Sequence, residues 1–425
     1  MLGAVHLCTA PLAAKQHSER FSFRLKFCTL NAVKGMIIKM FKIATLNKIS
    51  EKGLGNLRTE NYEITDDVTN ADGILVRSAS MHDMELPKNL FAIARAGAGV
   101  NNIPLDKCSE NGIVVFNTPG ANANAVKELV IAGLLLASRD IVGGIAWAKT
   151  LDSDVAKQVE KGKSNFAGNE IKGKTLGVIG LGAIGNMVAN DAVALGMNVI
   201  GYDPFISIDA AWKLSGNVKR AVDIKDIFEK SDFITIHVPL TDDTKDLINK
   251  DSIALMKDGV KILNYARGGL VNADDIKKAL DDGKVAVYVT DFPDGDIAKH
   301  KGIIALPHLG ASTEESEENC AYMAAVQMKD YLENGNIKNS VNFPAVSMQR
   351  GEGKRVLVFH KNIPAMVSGI SSAFSKHSIN IENMINKSKK DYAITMLDVL
   401  TDTVSADTID ELKAIEGVKG VRVID

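Results

Sequence analysis

One stretch of the chain, a short apolar run followed by three glycines, constrains the fold more than any other. The run is Thr175–Ile179, of the kind that a parallel sheet buries on both faces. Gly180, Gly182 and Gly185 follow with the spacing G-x-G-x-x-G. The first glycine permits a tight turn, the second lets backbone approach a pyrophosphate, and the third lets the next helix pack on the strand. The stretch therefore predicts a strand, a turn and a helix over about 183–195 whose N-terminus faces phosphate groups.

The acid at the end of the next predicted strand indicates which dinucleotide is bound. Residues 197–202 are again short and apolar, and Asp203 follows them, 18 residues after Gly185. A carboxylate at this place accepts hydrogen bonds from the ribose hydroxyls and repels a 2′-phosphate. We therefore predict an NAD-binding rather than an NADP-binding domain.

Length and charge exclude several classes of protein. A chain of 425 residues is too long for one core, so two or three domains are expected. The net charge of −2 gives no reason to expect a nucleic-acid partner, and the longest apolar run, 129–138, is too short to cross a bilayer. Cys108 and Cys320 show neither paired spacing nor a His cluster, which predicts a reducing, cytoplasmic setting without a metal site.

Residues 1–39 show no clear strand or helix pattern. They carry six Lys or Arg and one acid, Glu19. Two interpretations stay open: a transit peptide for organellar import, or an extension upstream of a natural start at Met40, where a typical first strand begins. In either case we expect the segment to be poorly ordered or non-native, and it is left out of the fold prediction.

Residues 40–121 predict a parallel sheet in which short apolar strands alternate with helices. Ligands of such sheets bind beyond the carboxyl ends of the strands. Arg77, Ser78, Arg95 and the glycine-rich loop 97–102 fall at those ends. The two arginines are compatible with surface ion pairs or with a site for an anion.

The predicted domains are discontinuous. A long amphipathic helix over 314–334 could pack back on the first domain, which would then comprise 40–121 and 313–345. The cofactor domain would span 122–312, with a linker at 346–353. Residues 354–425 show the order strand, helix, strand, strand, helix, strand, which is the ferredoxin-like plan. The predicted fold class is α/β, with two Rossmann-like doubly wound parallel sheets and this small C-terminal domain, whose sheet edges favour pairing with a partner chain.

The two predicted α/β domains indicate hydride transfer in the cleft between them. Oxidising an alcohol needs a base for the hydroxyl proton and a cation for the substrate. His308 is the candidate base, because imidazoles titrate near physiological pH, although a lone His is often structural. Arg267 is the candidate clamp, because its planar fork matches a carboxylate.

Seven motifs resemble the D-isomer-specific 2-hydroxyacid dehydrogenases. They are VRSA (76–79), RAGAGVNN (95–102), NTPGANA (117–123), GLGAIG (180–185), HVPLT (237–241), NYARGG (264–269) and PHLGAST (307–313). The C-terminal unit is similar to the ACT domain that follows many of these enzymes. The resemblance implies NAD-dependent oxidation of 3-phosphoglycerate to 3-phosphohydroxypyruvate, the first committed step of serine synthesis, with Arg267 and His308 as catalytic residues.

The resemblance also implies the residues of both binding sites. On the substrate side it places Arg77, Ser78 and Arg95 at the phosphate, and Gly97, Ala98, Gly99 and Asn102 at the carboxylate. On the cofactor side it implies Gly180, Gly182, Ala183, Ile184, Gly185, Asp203, Pro204, His237, Pro239, Ala266, Arg267, Asp291, His308 and Gly310.

The sequence departs from the family at the carboxylate that partners the catalytic His. The family has a Glu between the strand-end Asp and the His, whereas residues 291–300 contain none. Asp294 or Asp296 could replace it, or His308 could work alone. We predict Asp296 as the partner, which would raise the pKa of the imidazole.

The C-terminal unit carries a candidate effector site. His360 and Asn362 resemble the ACT ligand motif, in which a Gly commonly fills the place of Ala365, and Asn380 matches a further ligand position. The resemblance implies serine bound between two such domains, in a homodimer or tetramer. A dimerisation module without an effector is the alternative.

Two other functions stay open at this stage. One is a hydroxypyruvate, glyoxylate or lactate-type reductase on the same scaffold. The other is a non-catalytic, NAD(H)-sensing binder of the corepressor type.

Overall fold

The computed structural model describes residues 40–425, and the prediction for residues 1–39 lies outside the described residues. Two parallel sheets are followed by one antiparallel sheet, which confirms the predicted α/β class. No single helix between 40 and 425 is long and apolar enough to cross a membrane; one pair, Ala123–Ser138 with Ile141–Ala148, meets that criterion only jointly and is bent by 71°.

The first sheet contains five parallel strands in the order β2-β1-β3-β4-β5. They are β1 Phe41–Leu46, β2 Tyr62–Thr65, β3 Gly73–Val76, β4 Ala92–Arg95 and β5 Val114–Phe116. All four residues of β3 are buried, as expected of a central strand covered on both faces.

The helices predicted between these strands are largely wrong. Within 40–121 the structure has one α-helix, α1 Leu105–Glu110, and a 3-10 turn at Gly53–Leu57. Apolar side chains of residues 314–334 and of the C-terminal unit cover part of the sheet instead. The short strand β2 was not predicted.

The second sheet has seven parallel strands in the order β12-β11-β10-β9-β6-β7-β8. They are β6 Thr175–Ile179, β7 Asn198–Tyr202, β8 Lys219–Arg220, β9 Phe233–Ile236, β10 Val260–Asn264, β11 Val285–Thr290 and β12 Ile303–Ala305. The strand order reverses at β6, which lies between β7 and β9. A dinucleotide binds beyond the strand ends at such a reversal.

Eight helices surround or extend from this sheet. They are α2 Ala123–Ser138, α3 Ile141–Ala148, α4 Val155–Gly162, α5 Ala183–Ala194, α6 Ile208–Trp212, α7 Ile224–Lys230, α8 Lys250–Ala254 and α9 Ala273–Asp281. Apolar residues of α2 and α5 pack in one core with β6. Every residue of α3 and α4 is at least partly exposed, and neither helix was predicted.

The predicted helix over 314–334 is confirmed as α10, Glu314–Asn334. Thr313 caps its N-terminus, because the hydroxyl oxygen accepts a hydrogen bond from the Ser316 amide. Its buried residues join the core of the first sheet, so the chain returns to that domain after completing the second sheet.

The C-terminal unit is the predicted ferredoxin-like fold. Its elements are β13 Lys354–Lys361, α11 Met366–Lys376, β14 Asn380–Lys389, β15 Tyr392–Leu400, α12 Ala406–Ala414 and β16 Val418–Ile424, with the antiparallel order β14-β15-β13-β16. One face of its sheet packs under α11 and α12. The other face places Leu357, Phe359, Ile394 and Met396 in the core that β1, β4 and α10 also build.

A buried arginine connects this unit to the chain before it. Arg355 is fully buried, and its Nε and Nη2 lie 2.7 and 2.9 Å from the two carboxylate oxygens of Asp398. The same guanidinium donates hydrogen bonds to the carbonyl groups of Asn334, Met348 and Gln349. The three bonds to carbonyl groups connect the end of α10 and the following segment to the C-terminal sheet.

Ala365 provides the first testable prediction. It precedes α11 with φ 67° and ψ 3°, a left-handed conformation that costs a residue with a Cβ about 1–3 kcal/mol. Ala365→Gly relieves this strain, but glycine also raises the conformational entropy of the unfolded chain and so offsets part of the stabilisation. We expect the free energy of unfolding in urea to rise by about 1 kcal/mol. Ala414→Gly, on the exposed last helical residue of α12, is the control and should not stabilise. A destabilised Ala365→Gly variant would contradict this account.

Candidate active site

A cleft of about 840 Å³ lies between the two parallel-sheet domains. Most of the predicted substrate and catalytic residues line it together: Arg77, Ser78, Arg95, Gly97, Ala98, Gly99, Arg267 and His308. Arg95 ends β4, the other residues up to Gly99 follow β3 or β4, and the last two come from loops after β10 and β12. The carboxyl ends of strands in both sheets therefore open onto one cavity.

Three guanidinium groups give this cleft a positive centre. Arg95 donates a hydrogen bond from Nε to the carbonyl of Arg77 over 3.0 Å. A Cβ built on Gly99 would lie 3.6 Å from Nη2 of Arg267 and 3.7 Å from Nη1 of Arg95, so both cations approach one point. Burial lowers the pKa of Arg95, and the charges of Arg267 and Arg77 lower it further. Because burial and mutual repulsion make this group of cations unfavourable without a counter-charge, the cleft suits an anionic ligand.

Arg267 is held by a buried amide that the sequence analysis missed. Asn264 is fully buried at the end of β10, and its Nδ2 donates to the carbonyl of Arg267 over 2.8 Å. Its Oδ1 accepts a hydrogen bond from the Ala266 amide over 3.1 Å. The loop that presents Arg267 is thus fixed from inside the domain. The position of a polar residue at the end of an apolar strand was the available signal.

Phe292, also missed, lies close to both catalytic candidates. Its ring centroid is 4.6 Å from that of His308 and 5.9 Å from Cζ of Arg267. It therefore limits the space between the imidazole and the guanidinium.

The His308 loop is anchored by a buried carboxylate. Asp291 is 1% exposed and accepts hydrogen bonds from the amides of Leu309 and Gly310, each over 2.7 Å. These bonds hold the exposed His308 at φ 56°, in the left-handed region. Asp291 and Gly310 thus shape the loop beside the predicted cofactor position.

The structure does not bring Asp296 to His308. Asp296 is highly exposed, and its carboxylate lies 3.6 Å from Nζ of Lys299. Asp294 lines a smaller cavity together with His308. Within residues 40–425 no hydrogen bond or ion pair joins either aspartate to the His308 ring, so the role given to Asp296 stays a prediction that this arrangement does not support.

The glycine turn has the geometry that its sequence predicts. Gly180 has φ 89°, and a Cβ on Gly185 would lie 1.9 Å from the Gly180 carbonyl oxygen, so α5 can approach the turn only without a side chain there. A Cβ on Gly182 would meet no atom within 4 Å, which leaves open space over the turn. The carboxylate of Asp203 accepts hydrogen bonds from the amides of Leu181 and Phe205.

Comparisons with known proteins identify the family. The family model described as the D-isomer specific 2-hydroxyacid dehydrogenase, NAD binding domain, matches residues 132–310. A D-3-phosphoglycerate dehydrogenase of Haemophilus influenzae is 32% identical over 353 residues, which cover 80% of this chain and 83% of that protein. The chain belongs to the D-isomer-specific 2-hydroxyacid dehydrogenases. This confirms the resemblance drawn from the seven motifs.

Several other relatives are matched over less of their own length. A D-3-phosphoglycerate dehydrogenase of Methanocaldococcus jannaschii is 37% identical over 297 residues, 68% of this chain and 55% of that protein. Among three such relatives the chain spans 55 to 62% of the relative's length. The match to the solved structure of NAD+-bound 3-phosphoglycerate dehydrogenase from Entamoeba histolytica covers 71% of this chain and 98% of that chain. Its TM-score is 0.57 and the sequence identity is 29%.

The matched family model describes an NAD-binding domain, and the turn after β6 fits this cofactor. The open space above Gly182 leaves room for a pyrophosphate, and Ala183 and Ile184 begin α5, whose free amides favour anions. Asp203 and the exposed Pro204 follow β7 next to this turn, where a ribose would lie. The exposed Pro239 and the partly buried Ala266 follow β9 and β10 at the same edge of the sheet.

His237 is a partly buried group beside the glycine turn, and its ring nitrogen Nδ1 is buried. Its Nε2 is 2.9 Å from the Thr235 hydroxyl, while its buried Nδ1 has no partner among the described residues. Burial lowers the pKa of His237 to about 3. An unfolded chain protonates this imidazole below about pH 6.5, whereas the folded chain does not until about pH 3.

This difference predicts acid sensitivity. The contribution of His237 to stability is complete above about pH 6.5 and is lost as the pH falls from there to about 3, by at most about 1.4 kcal/mol per pH unit. Urea unfolding at pH 7.5 and 5.0 should show a larger loss for the wild type than for His237→Gln. Parallel losses in the two proteins would refute the assignment.

The glycine-rich loop 97–102 is held at its first two residues. Asn117 donates from Nδ2 to the Ala98 carbonyl over 2.7 Å, and the Thr118 amide donates to the Gly97 carbonyl. Asn102 does not line the cleft. Its side-chain amide donates a hydrogen bond to the carbonyl of Ala79 and so supports the loop from outside the cleft.

The three effector candidates do not meet within one chain. The His360 ring is buried, with Nδ1 2.8 Å from the Lys361 carbonyl and Nε2 2.9 Å from the Thr395 hydroxyl. Asn362 is exposed at the end of β13. Asn380 pairs with Leu400, whereas His360 pairs with Ala393, so they occupy opposite ends of the sheet, roughly 20 Å apart at the rise of a strand.

Proposed function

We propose that this chain oxidises D-3-phosphoglycerate to 3-phosphohydroxypyruvate with NAD, the first step of L-serine biosynthesis. The observation that carries the proposal is the convergence of Arg77, Arg95 and Arg267 on one cleft that His308 also lines. A ligand with an anionic group at each end uses all three cations, whereas glycerate or lactate has an anionic group at one end only. The relatives named D-3-phosphoglycerate dehydrogenase support the same substrate.

The roles follow from the positions of the side chains. Arg267 binds the substrate carboxylate and polarises the developing carbonyl, while Arg77 and Arg95 bind the phosphate. His308 removes the hydroxyl proton, and Phe292 limits the substrate to the space between base and clamp. NAD supplies the hydride acceptor, at the reversal of strand order beside β6.

A substrate comparison tests the proposal. We expect kcat/KM for 3-phosphoglycerate to exceed that for glycerate by at least about a hundredfold, because charge-assisted contacts to the phosphate are lost with glycerate. NADH formation is the measurement. Equal or faster turnover of glycerate would favour the hydroxypyruvate-reductase alternative, and NADH binding without turnover of any hydroxy acid would favour the non-catalytic sensor.

The proposal extends to serine as a feedback effector and to a homo-oligomer. Because Asn380 is far from His360 and Asn362 in one chain, a site that uses all three requires two chains. We expect serine to inhibit turnover in the full-length protein and Asn362→Ala to weaken the inhibition. Serine without effect on turnover, and without heat of binding in calorimetry, would leave a dimerisation module.

Helix α3 offers a second surface for a homodimer through the cofactor domains. Ile141, Val142 and Ile145 are 37, 50 and 54% exposed on this helix. A second copy of the chain is the proposed cover, because apolar side chains grouped in this way favour association. Ile145→Glu should shift the sedimentation profile toward the monomer; an unchanged profile would exclude this surface.

A further inference from the structure

Glu317 places a carboxylate inside the cleft that is otherwise built for anions. It lies in the first turn of α10, and its Oε1 is 2.6 Å from Nη2 of Arg77. Both side chains line the 840 Å³ cleft, and each is about two-fifths exposed, at 41 and 42%. The contact therefore joins two groups that a ligand can reach and separate.

The other two guanidinium groups are not paired in this way. Arg95 donates to the Arg77 carbonyl, and Arg267 donates to the Ala266 carbonyl. Among the described residues that line the cleft, Glu317 supplies the one carboxylate. Of the three cations, Arg77 alone is thus engaged by a side chain whose charge resembles that of a ligand.

We propose that Glu317 is a specificity-determining residue that competes with the substrate phosphate for Arg77. This inference rests on the proposed function, which assigns the phosphate to Arg77 and Arg95. In the empty cleft Glu317 neutralises Arg77. When a phosphate enters, it binds the Arg77 guanidinium in place of Glu317. The Glu317 carboxylate must then turn away, and it remains close to the negatively charged phosphate.

The charge of the ligand decides the outcome of this competition. A phosphate monoester carries about 1.5–2 negative charges and three acceptor oxygens, so it can displace a carboxylate from an arginine. A singly charged group in the same place would exchange one carboxylate for another and gain little. Glu317 therefore weakens the binding of every anion at Arg77, and only a group with more charge and more acceptor oxygens than a carboxylate displaces it.

Glu317→Gln separates this role from a structural one. Gln has the same shape without the charge, so Arg77 is released for the ligand. We expect KM for 3-phosphoglycerate to fall roughly tenfold, as two unit repulsions at a few ångströms in a water-exposed site predict, while kcat changes by less than about threefold. KM for glycerate, which carries no charge at that end, should stay within about twofold.

Glu315→Gln is the matched control. Glu315 lies in the same first turn of α10, is exposed and does not line the cleft. The variant has the same net charge and the same effect on the helix N-terminus as Glu317→Gln. We expect it to leave both KM values unchanged.

Calorimetry with inorganic sulfate on the NADH complex distinguishes failure of this inference from failure of the proposed function. We expect Glu317→Gln to bind sulfate several-fold more tightly than the wild type and Glu315→Gln to bind it equally. If the wild type does not turn over 3-phosphoglycerate, the proposed function fails, and sulfate binding still decides the role of Glu317. An unchanged or raised KM together with unchanged or weaker sulfate binding would overturn the inference, because Glu317 would then merely position Arg77.

Discussion

Replacing Arg267 with Met should lower kcat/KM for 3-phosphoglycerate about a thousandfold. The substitution keeps a long apolar stem against Phe292 but removes the forked donor that binds the carboxylate and the developing carbonyl. Loss of one preorganised donor at such a position costs about a hundred- to a thousandfold in rate, and loss of the charge adds to this. Arg267→Lys should recover only part of the activity, because an ammonium group cannot make the bidentate contact.

The measurements are initial rates of NADH formation and the affinity for NADH. Arg220→Met, in the exposed strand β8 of the same domain, removes the same charge outside the cleft and should be nearly neutral. We expect the NADH affinity of Arg267→Met to stay within a few-fold of wild type, since the pyrophosphate binds at the glycine turn. Activity within tenfold of wild type would show that another residue holds the carboxylate.

Replacing Asp398 with Ala should reduce the free energy of unfolding by about 3–5 kcal/mol. The change leaves the fully buried guanidinium of Arg355 without a counter-charge, and such an unpaired buried charge has a cost of this size. Three backbone carbonyl groups also bind this guanidinium, so Arg355 cannot turn toward water without leaving them unsatisfied. The loss would be measured by urea unfolding of the full chain.

An exposed ion pair in the same sheet is the control. Nζ of Lys354 lies 2.9 Å from a carboxylate oxygen of Asp425, which is 81% exposed. Lys354→Ala should cost less than about 1 kcal/mol, because water screens the pair. Equal losses from the two variants would mean that burial of Arg355 does not determine its energy.

Sequence motifs predicted the parts of the site that depend on neighbouring residues. The glycine turn and Asp203 were predictable because the turn geometry and the strand-end position follow from about thirty consecutive residues. Arg267 and His308 were predictable as candidates because each directly follows an apolar strand, and strand ends in a parallel sheet share one edge.

The parts that local sequence does not determine depend on contacts between distant residues. Glu317 meets Arg77 across 240 positions of sequence, and no local pattern indicates this contact. The helices expected in 40–121 are largely absent, because α10 and the C-terminal unit supply apolar cover that local periodicity cannot reveal. The prediction for Asp296 rested on its place between Asp291 and His308, but the direction of a side chain in a loop is set by tertiary contacts.

The shared core of the first sheet and the C-terminal unit restricts how this protein can be engineered. A chain cut near residue 353, as a route to a variant without the C-terminal unit, would expose the apolar surface of α10 and β4 against which Leu357, Phe359 and Met396 pack. We expect such a fragment to unfold at a lower temperature than the whole chain and to precipitate. Point substitutions on the exposed edge of β14 would change the C-terminal unit without uncovering this core. In a calorimeter we expect the first sheet and the C-terminal unit to unfold in one transition.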